Sequence, residues 1–312
     1  MNAVHPDIRY PFMSLRRPML IFSATLVLIS LLSLVFKGLN FGLDFTGGTL
    51  VEVTFDQPID PEGVRVRLAA NDYEEAVVQH FGTDRDLAIR VPTRGDGDES
   101  KVGDEVFKVI KQDHPDAELR QSSFVGAAVG DELAEDGGLA LFASLIVILI
   151  YVMFRFTRQF AVGAVLALFH DVIIVLGAFS LFGWTFDLPT LAAVLAVIGY
   201  SINDTIVIAD RIRENIIGLR RMEIIDVVDV STNQTLDRTL LTSGTTMISV
   251  LALLLFGGDM VHGFSVALTI GIVVGTYSSI YVAAAVAVAM KINREDLLPP
   301  EKEAQVLEEE RP

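Results

Sequence analysis

The chain has 312 residues and no cysteine, which excludes disulfides, zinc–thiolate sites and thiol chemistry. Its mean hydropathy is +0.49, and its hydrophobic residues form long blocks, which is typical of several membrane spans plus one polar domain. The net charge is −16, and residues 37–137 hold 22 acidic residues against 10 basic ones. A segment this acidic would repel phosphates, so nucleic acid is not expected as its partner.

The first apolar block, residues 19–36, follows Arg16 and Arg17 and at first sight resembles a signal peptide. It lacks a small-x-small cleavage site, so we interpret it as a retained first span. Five further blocks are also long enough to cross about 30 Å of hydrocarbon. The six predicted spans are residues 19–36, 138–154, 159–182, 186–208, 239–256 and 263–290.

Basic residues near the ends of the spans predict the orientation of the chain. Arginines cluster before the first span, between spans two and three, and between spans four and five. The short loops 183–189 and 257–263 contain neither Lys nor Arg. With the arginines in the cytoplasm, both termini are cytoplasmic. The predicted divisions are then a cytoplasmic N-terminus with the first span (1–36), an exterior domain (37–137), spans two to six (138–290) and a cytoplasmic tail (291–312).

The exterior domain is predicted to be a small α+β unit. The pattern favours strands at 49–55, 76–81, 87–91 and 118–125 and helices at 60–70 and 99–112. The order β-α-β-β-α-β is that of a ferredoxin-like domain. Between the first span and the first strand lies FGLDFTGGT, residues 41–49, which we interpret as a tight backbone passage at the membrane edge.

Asp204 is the main candidate functional residue, because an ionisable group inside a spanning helix is costly. It lies about 10 Å from the cytoplasmic edge, at a helical rise of about 1.5 Å per residue. Arg238 opens the fifth span in the same half of the membrane, and pairing with it would favour ionised Asp204. A carboxylate whose charge partner can approach or leave has the minimum equipment of a proton relay.

Two other interpretations of Asp204 remain open from the residues alone. Asp204, Asn203 and the Thr/Ser row that includes Thr242 could form hydrogen bonds between helices. Alternatively, Asp204 lies nearer the headgroups if the span is shifted. The nearby Asp210 is interpreted as an interfacial anchor.

His170 and Asp171 form a second polar group, about 16 Å deep in the third span and near the membrane midplane. A histidine there could titrate near neutral pH. It could equally well form a hydrogen bond to a neighbouring helix. Both interpretations stay open.

Several segments together resemble the SecF family of protein-export membrane proteins. They are FGLDFTGGT at 41–49, ALFHD at 167–171, IGYSINDTIVIADRIREN at 198–215, TLDRTLLTSGTT at 235–246 and GTYSSIYVA at 275–283. Six spans with one large exterior domain after the first are also similar to that family. The functional Asp and Arg of the family correspond to Asp204 and Arg238.

The resemblance implies a half-transporter of the resistance-nodulation-division superfamily in the bacterial inner membrane. Its implied partners are a SecD half, the SecYEG translocon, YajC, membrane lipid and unfolded preprotein, which the proton-motive force would help to export. Neither a cofactor nor a metal is implied, and the family is not enzymatic.

Three other classes of protein compete with this interpretation. A proton-coupled small-molecule exporter normally carries both halves and much larger exterior domains than the one predicted here. An intramembrane aspartyl protease needs two carboxylates that share a proton, for which Asp171 and Asp204 are the candidates. The Gly-x-Gly-Asp context of such proteases is absent, since Ser201-Ile202-Asn203 precedes Asp204. A passive scaffold would tolerate replacement of Asp204 and Arg238.

Overall fold

The computed structural model describes residues 10–93, 101–219 and 222–292, so parts of the predicted cytoplasmic ends lie outside it. Within these ranges six helices are long and apolar enough to cross a membrane, which confirms the predicted spans. They are α1 (Arg16–Phe36), α5 (Ala127–Arg155), α6 (Arg158–Phe182), α7 (Leu188–Gly218), α8 (Ile224–Phe256) and a last helix. The last one consists of α9 (His262–Ser278), a π-helical segment (Ser279–Ala283) and α10 (Ala284–Ala289).

Three of the helices are longer than the predicted spans. α5 begins at Ala127, α7 continues to Gly218, and α8 begins at Ile224. Hydropathy places the end of a span where charged residues begin, but a charged turn can continue the same helix beyond the hydrocarbon layer. The extra turns are therefore polar extensions of membrane helices.

Between α1 and α5, the described part of residues 48–125 forms a four-stranded antiparallel sheet with two helices, here called the sheet domain. Its elements are β2 (Gly48–Thr54), α3 (Pro61–Ala69), β3 (Val77–Phe81), β4 (Thr83–Val91), α4 (Val102–Asp113) and β5 (Glu118–Val125). The strand order β3-β4-β2-β5 confirms the ferredoxin-like prediction. Val51, Ile89, Leu68 and Val106 are fully buried between the sheet and the helices.

The opposite face of the sheet looks toward the ends of the membrane helices. A cleft of about 600 Å³ lies between them, with Glu52 and Arg90 on the sheet side and Trp184 and His262 on the helix side. Helices α3 and α4 therefore cover one face of the sheet through apolar packing. The other, polar face of the sheet lies over the ends of the membrane helices.

The membrane helices form an inner and an outer group. In α6, α7 and the last helix, 50–56% of the most apolar stretch is buried, against 11–17% in α1, α5 and α8. Small residues bring α7 and α9 close together, since a Cβ added at Gly271 would overlap the side chain of Val197. One turn further along α9, a Cβ at Gly275 would lie 3.1 Å from Ser201 Cβ. This close contact positions the polar residues described below.

Candidate functional site

The glycine-rich segment joins the first span, the sheet domain and α7. A short strand, β1 (Asn40–Phe41), pairs in parallel with β6 (Thr185–Phe186), and Gly42 N donates to Phe186 O at 2.7 Å. A single helical turn, α2 (Leu43–Thr46), follows. Arg90 of the sheet donates from Nη1 to Phe41 O at 2.6 Å. The sheet is thus attached to the same segment that contacts the start of α7.

Gly47 and Gly48 make this passage possible. Their φ values of 64° and 113° are in the region that favours glycine. A Cβ at Gly48 would overlap Val91 O, and one at Gly47 would lie 2.9 Å from Ala127 Cα. The structure therefore contains the tight passage that the glycine pattern predicts.

Two carboxylates cap the start of α7. Asp187 Oδ1 accepts from Thr190 N at 2.9 Å, and Asp44 Oδ2 accepts from Leu188 N at 3.0 Å. Carboxylates at this position satisfy free backbone N–H groups and interact favourably with the helix dipole. Because Asp44 belongs to the glycine-rich segment, that segment and α7 are hydrogen-bonded to each other.

Asp204 lies in the cytoplasm-proximal half predicted for α7 and is 3% exposed. Its Oδ2 has no hydrogen-bond partner among the described residues. Arg238 interacts favourably with this carboxylate electrostatically but forms no ion pair with it, and its own side chain is exposed. The structure thus buries the predicted carboxylate and leaves its predicted partner on the surface of α8.

The two polar neighbours proposed from the sequence do not contact Asp204 by hydrogen bonds. Asn203 is exposed, and Thr242 Oγ1 donates within its own helix, to Arg238 O and Thr239 O at 3.0 Å each. Thr239 is buried, and its Oγ1 also has no partner in the described part of the chain. Two unpartnered polar atoms, on α7 and α8, are therefore buried in the bundle.

His170 and Asp171 form a second buried polar centre. Their Nδ1 and Oδ1 atoms are 2.8 Å apart, and Asp171 is completely buried. Asp171 Oδ2 accepts from Ser201 Oγ of α7 at 2.5 Å and from Ser278 Oγ of α9 at 2.8 Å. Three helices thus contribute donors to one carboxylate.

The serines of this centre were not predicted from the sequence. Ser201 and Ser278 are polar residues in apolar spans, which is a weak signal because serine is common in membrane helices. A second hydroxyl pair, Thr205 and Ser279, lies beside them with the Oγ atoms 2.8 Å apart. Ser279 begins the π-helical segment, a local geometry frequently found at functional sites.

No hydrogen bond joins Asp171 to Asp204 in the described structure. The oxygens of Asp171 bind His170, Ser201 and Ser278, whereas Oδ2 of Asp204 has no partner. A protease dyad requires two carboxylates that share a proton, so this arrangement does not favour the protease interpretation.

Asp210 lies at the end of the bundle rather than within it. Both of its oxygens accept from Arg155 Nη2, at 2.9 and 2.7 Å, which connects the end of α5 to α7. Both side chains are about one-third exposed, as expected for groups near the surface. Across the described residues, no group of three His, Cys, Asp or Glu side chains is arranged to hold a metal ion.

Comparison with known proteins identifies the family. Residues 105–293 match the family described as protein export membrane protein SecD/SecF, C-terminal, and residues 32–59 match the SecD/SecF GG motif. The chain belongs to the SecD/SecF family. The glycine-rich segment at 41–49 and the helices that carry Asp171, Asp204 and Arg238 lie inside these matches.

Similar curated proteins are named protein translocase subunit SecF. The one from Vibrio alginolyticus is 49% identical over 293 residues, which is 94% of this chain and 93% of that protein. The one from Pseudomonas aeruginosa is 48% identical, over 93% of this chain and 94% of that protein. These relatives match the family of transport subunits that the sequence resembles.

Two solved structures have a similar fold. A crystal structure of SecDF from Thermus thermophilus, described as a translocon-associated membrane protein, has a TM-score of 0.81 at 38% identity. It aligns with 91% of this chain, which spans only 39% of the solved one. SecDF in a super-membrane-facing form has a TM-score of 0.66 at 37% identity, over 99% of this chain and 41% of that one. The fold is thus shared with about two fifths of a longer SecDF chain.

Proposed function

We propose that this chain is the SecF half of a proton-driven protein-export unit in the bacterial inner membrane. It pairs with a SecD half and uses the proton-motive force to promote late translocation of unfolded preproteins through SecYEG, with YajC as an accessory partner. Both termini are cytoplasmic, and the sheet domain is exterior. The observation that carries this proposal is a buried carboxylate, Asp204, with an unpartnered oxygen and an arginine close by that does not pair with it.

An unpaired polar group buried in a membrane costs several kcal/mol. A carboxylate can remove this cost by binding a proton or by pairing with a cation. Arg238 is the cation available on the adjacent helix, and it is unpaired among the described residues. Asp204 can therefore be neutralised either by binding a proton or by pairing with Arg238. Exchange between these two states moves α7 relative to α8.

The proton-motive force supplies enough energy for this exchange. One charge that crosses 100 mV of membrane potential releases about 2.3 kcal/mol. That is comparable to the cost of leaving one buried polar group unpaired. A single proton per cycle can thus shift the balance between the two arrangements.

α7 provides a mechanical connection to the exterior. Its 31 residues carry Asp204 in one half, and its other end is capped by Asp44 of the glycine-rich segment. The same segment is bonded to Arg90 of the sheet. Displacement of α7 would therefore be passed directly to the sheet domain, which alternately holds and releases the substrate chain.

A polar stripe on α8 supports a second membrane half as the partner. Arg238, Thr242, Thr245 and Ser249 recur at the spacing of one helical face, and all but the half-buried Thr242 are exposed. Lipid is a poor environment for such a stripe, whereas a second half would cover it, as paired repeats do in other transporters. The longer SecDF chain of similar fold is consistent with that architecture.

Proton flux into proteoliposomes that contain this chain and SecD tests the proposal. Asp204→Asn and Arg238→Met should each abolish proton flux and export driven by the proton-motive force. Asp210→Asn is the matched control, because it alters a carboxylate that pairs with Arg155 at the end of the bundle, and it should retain most of the flux.

Wild-type flux in the Asp204→Asn variant would overturn the proposal. Proton flux stimulated by small molecules in the absence of SecD would instead favour a small-molecule exporter.

A further inference from the structure

We propose that His170 and Asp171 form a second proton-binding site, which loads Asp204 through the hydroxyl of Ser201. This inference rests on the proposed function, since it concerns the route by which protons reach Asp204. Its basis is the geometry of a buried cluster that the Asp204–Arg238 exchange leaves unused.

The hydrogen bonds define which atoms are free. Asp171 accepts from His170 Nδ1 on one oxygen and from two serine hydroxyls on the other, a donor set suited to an ionised carboxylate. His170 must then carry its proton on Nδ1, which leaves a lone pair on Nε2. His170 is 6% exposed, and Nε2 has no partner within the described structure. The cluster therefore offers one basic atom for an incoming proton.

Ser201 connects this cluster to Asp204. Its hydroxyl donates to Asp171, and it lies three residues before Asp204, so that both side chains are on the same face of α7 about one turn apart. Ser201 and Asp204 are 1% and 3% exposed, so their surroundings are sealed from lipid. Since α7 is proposed to run inward from the exterior, Ser201 and Asp171 lie on the exterior side of Asp204.

Few other ionisable side chains lie near the pair. No charged residue occurs in α10 or between residues 18 and 36 of α1, and α6 carries none besides His170 and Asp171 between residues 159 and 182. Within residues 138–154 of α5, 188–208 of α7 and 263–290 of the last helix, the titratable side chains are Tyr151, Tyr200, Asp204, Tyr277 and Tyr281. Tyr277 stacks on His170 with ring centroids 6.2 Å apart, and its hydroxyl donates to Met19 O. Asp204 is therefore the only other carboxylate in the spanning part of these neighbouring helices.

The transfer conserves protons. A proton from exterior water binds His170 Nε2, and the Nδ1 proton moves to Asp171. The Ser201 hydroxyl turns toward Asp204, gives its proton to that carboxylate and accepts the Asp171 proton. Asp171 is then ionised again, and a ring flip of the neutral imidazole restores the starting tautomer. Serine can carry out this step because a hydroxyl both donates and accepts.

Two serine variants separate the relay from a structural role. Ser201→Ala and Ser278→Ala each remove one hydrogen bond to the same Asp171 oxygen, but only Ser201 lies on the route to Asp204. In proteoliposomes with SecD, Ser201→Ala should lower proton flux at least about tenfold, because positioned proton-transfer groups contribute about 100-fold or more. Ser278→Ala should lower it less than about threefold by the same comparison. Equal losses in the two variants, with equal losses in thermal stability, would overturn the inference.

His170→Asn supplies a second readout. The Asn amide can still donate to Asp171 but cannot take up a proton. Because the variant side chain cannot accept the proton that the relay requires, His170→Asn should lower flux about as much as Ser201→Ala, at least about tenfold. Wild-type flux in His170→Asn would also overturn the inference. Asp204→Asn is measured in parallel: if it abolishes flux while the Ser201 and His170 variants conduct normally, this inference fails and the proposed function stands.

Discussion

Asp86 on β4 illustrates how single residues of the sheet domain are stabilised. It accepts from the hydroxyls of Thr54 at 2.6 Å and Thr83 at 2.5 Å and lies 3.7 Å from Arg120. Burial alone would raise the pKa of this carboxyl, but the two hydroxyls and the Arg120 charge outweigh it and hold the pKa below its usual value. Ionised Asp86 therefore stabilises the folded domain.

The pH dependence follows from the sign of that shift. Because the pKa is lower in the folded state, the stabilisation is complete above the unfolded pKa of about 4 and is lost as pH falls through the folded value. In the full-length protein, Asp86→Asn should increase hydrogen–deuterium exchange of residues 83–91 at pH 6, with the difference from wild type shrinking by pH 3.

Its control is Asp84→Asn, a change at an exposed neighbour that should have little effect at either pH. A difference in exchange between Asp86→Asn and wild type that is as large at pH 3 as at pH 6 would contradict the prediction.

At the scale of residues, the sequence identified charges more readily than their partners. Asp204 and the His170–Asp171 pair stand out because ionisable groups in apolar runs are rare. Which serines face Asp171, and whether Arg238 reaches Asp204, depends on the rotation of each helix about its axis and on side-chain rotamers. Neither is encoded in local periodicity, so the expected pairing of Asp204 with Arg238 stays a prediction.

Individual helices were predicted correctly in number but not in length. The charged turns of α5, α7 and α8 are continuous with their apolar cores, and hydropathy does not detect such extensions. The sheet domain was easier, because alternating apolar residues and the Asp60-Pro61 helix start are local signals. The π-helical segment, which contacts α6 and α7, had no such local signal.

The contact between α7 and α9 gives a prediction at the scale of elements. Gly271→Ala would place a methyl group against Val197, so the helices must separate, at a cost of about 1–3 kcal/mol. We expect a lower thermal unfolding temperature in detergent. Gly199→Ala is the matched control, because nothing lies within 4 Å of its added Cβ and alanine is the better helix former.

A second variant distinguishes overlap from other effects of the added methyl group. Val197→Ala should restore part of the stability when combined with Gly271→Ala, which is a coupling between neighbours in a double-mutant cycle. Strictly additive losses in the double variant would show that the two side chains do not collide.

At the scale of the whole molecule, we expect a partner to cover the polar stripe on α8 and shield it from lipid. The chain lacks cysteine, so single-cysteine variants carry no background. In membranes with a cysteine-scanned SecD, Thr245→Cys should form disulfide cross-links with the partner. Phe22→Cys, at an exposed apolar position on α1, should form none. Cross-linking of Phe22→Cys alone would place the partner on the other side of the bundle.

The orientation of the whole chain can be tested in the same cysteine-free background. The basic residues near the α5–α6 and α7–α8 connections include Arg155, Arg158, Arg211 and Arg213. Positive residues near short loops remain in the cytoplasm, so we expect both connections to be cytoplasmic. Lys108 is exposed on α4 of the sheet domain, and Arg213 is exposed on the last turns of α7. A membrane-impermeant maleimide should label Lys108→Cys in intact spheroplasts and Arg213→Cys only after lysis. The reverse labelling pattern would show that the chain has the opposite orientation in the membrane. The sheet domain would then be cytoplasmic, where it could not act on an exported chain.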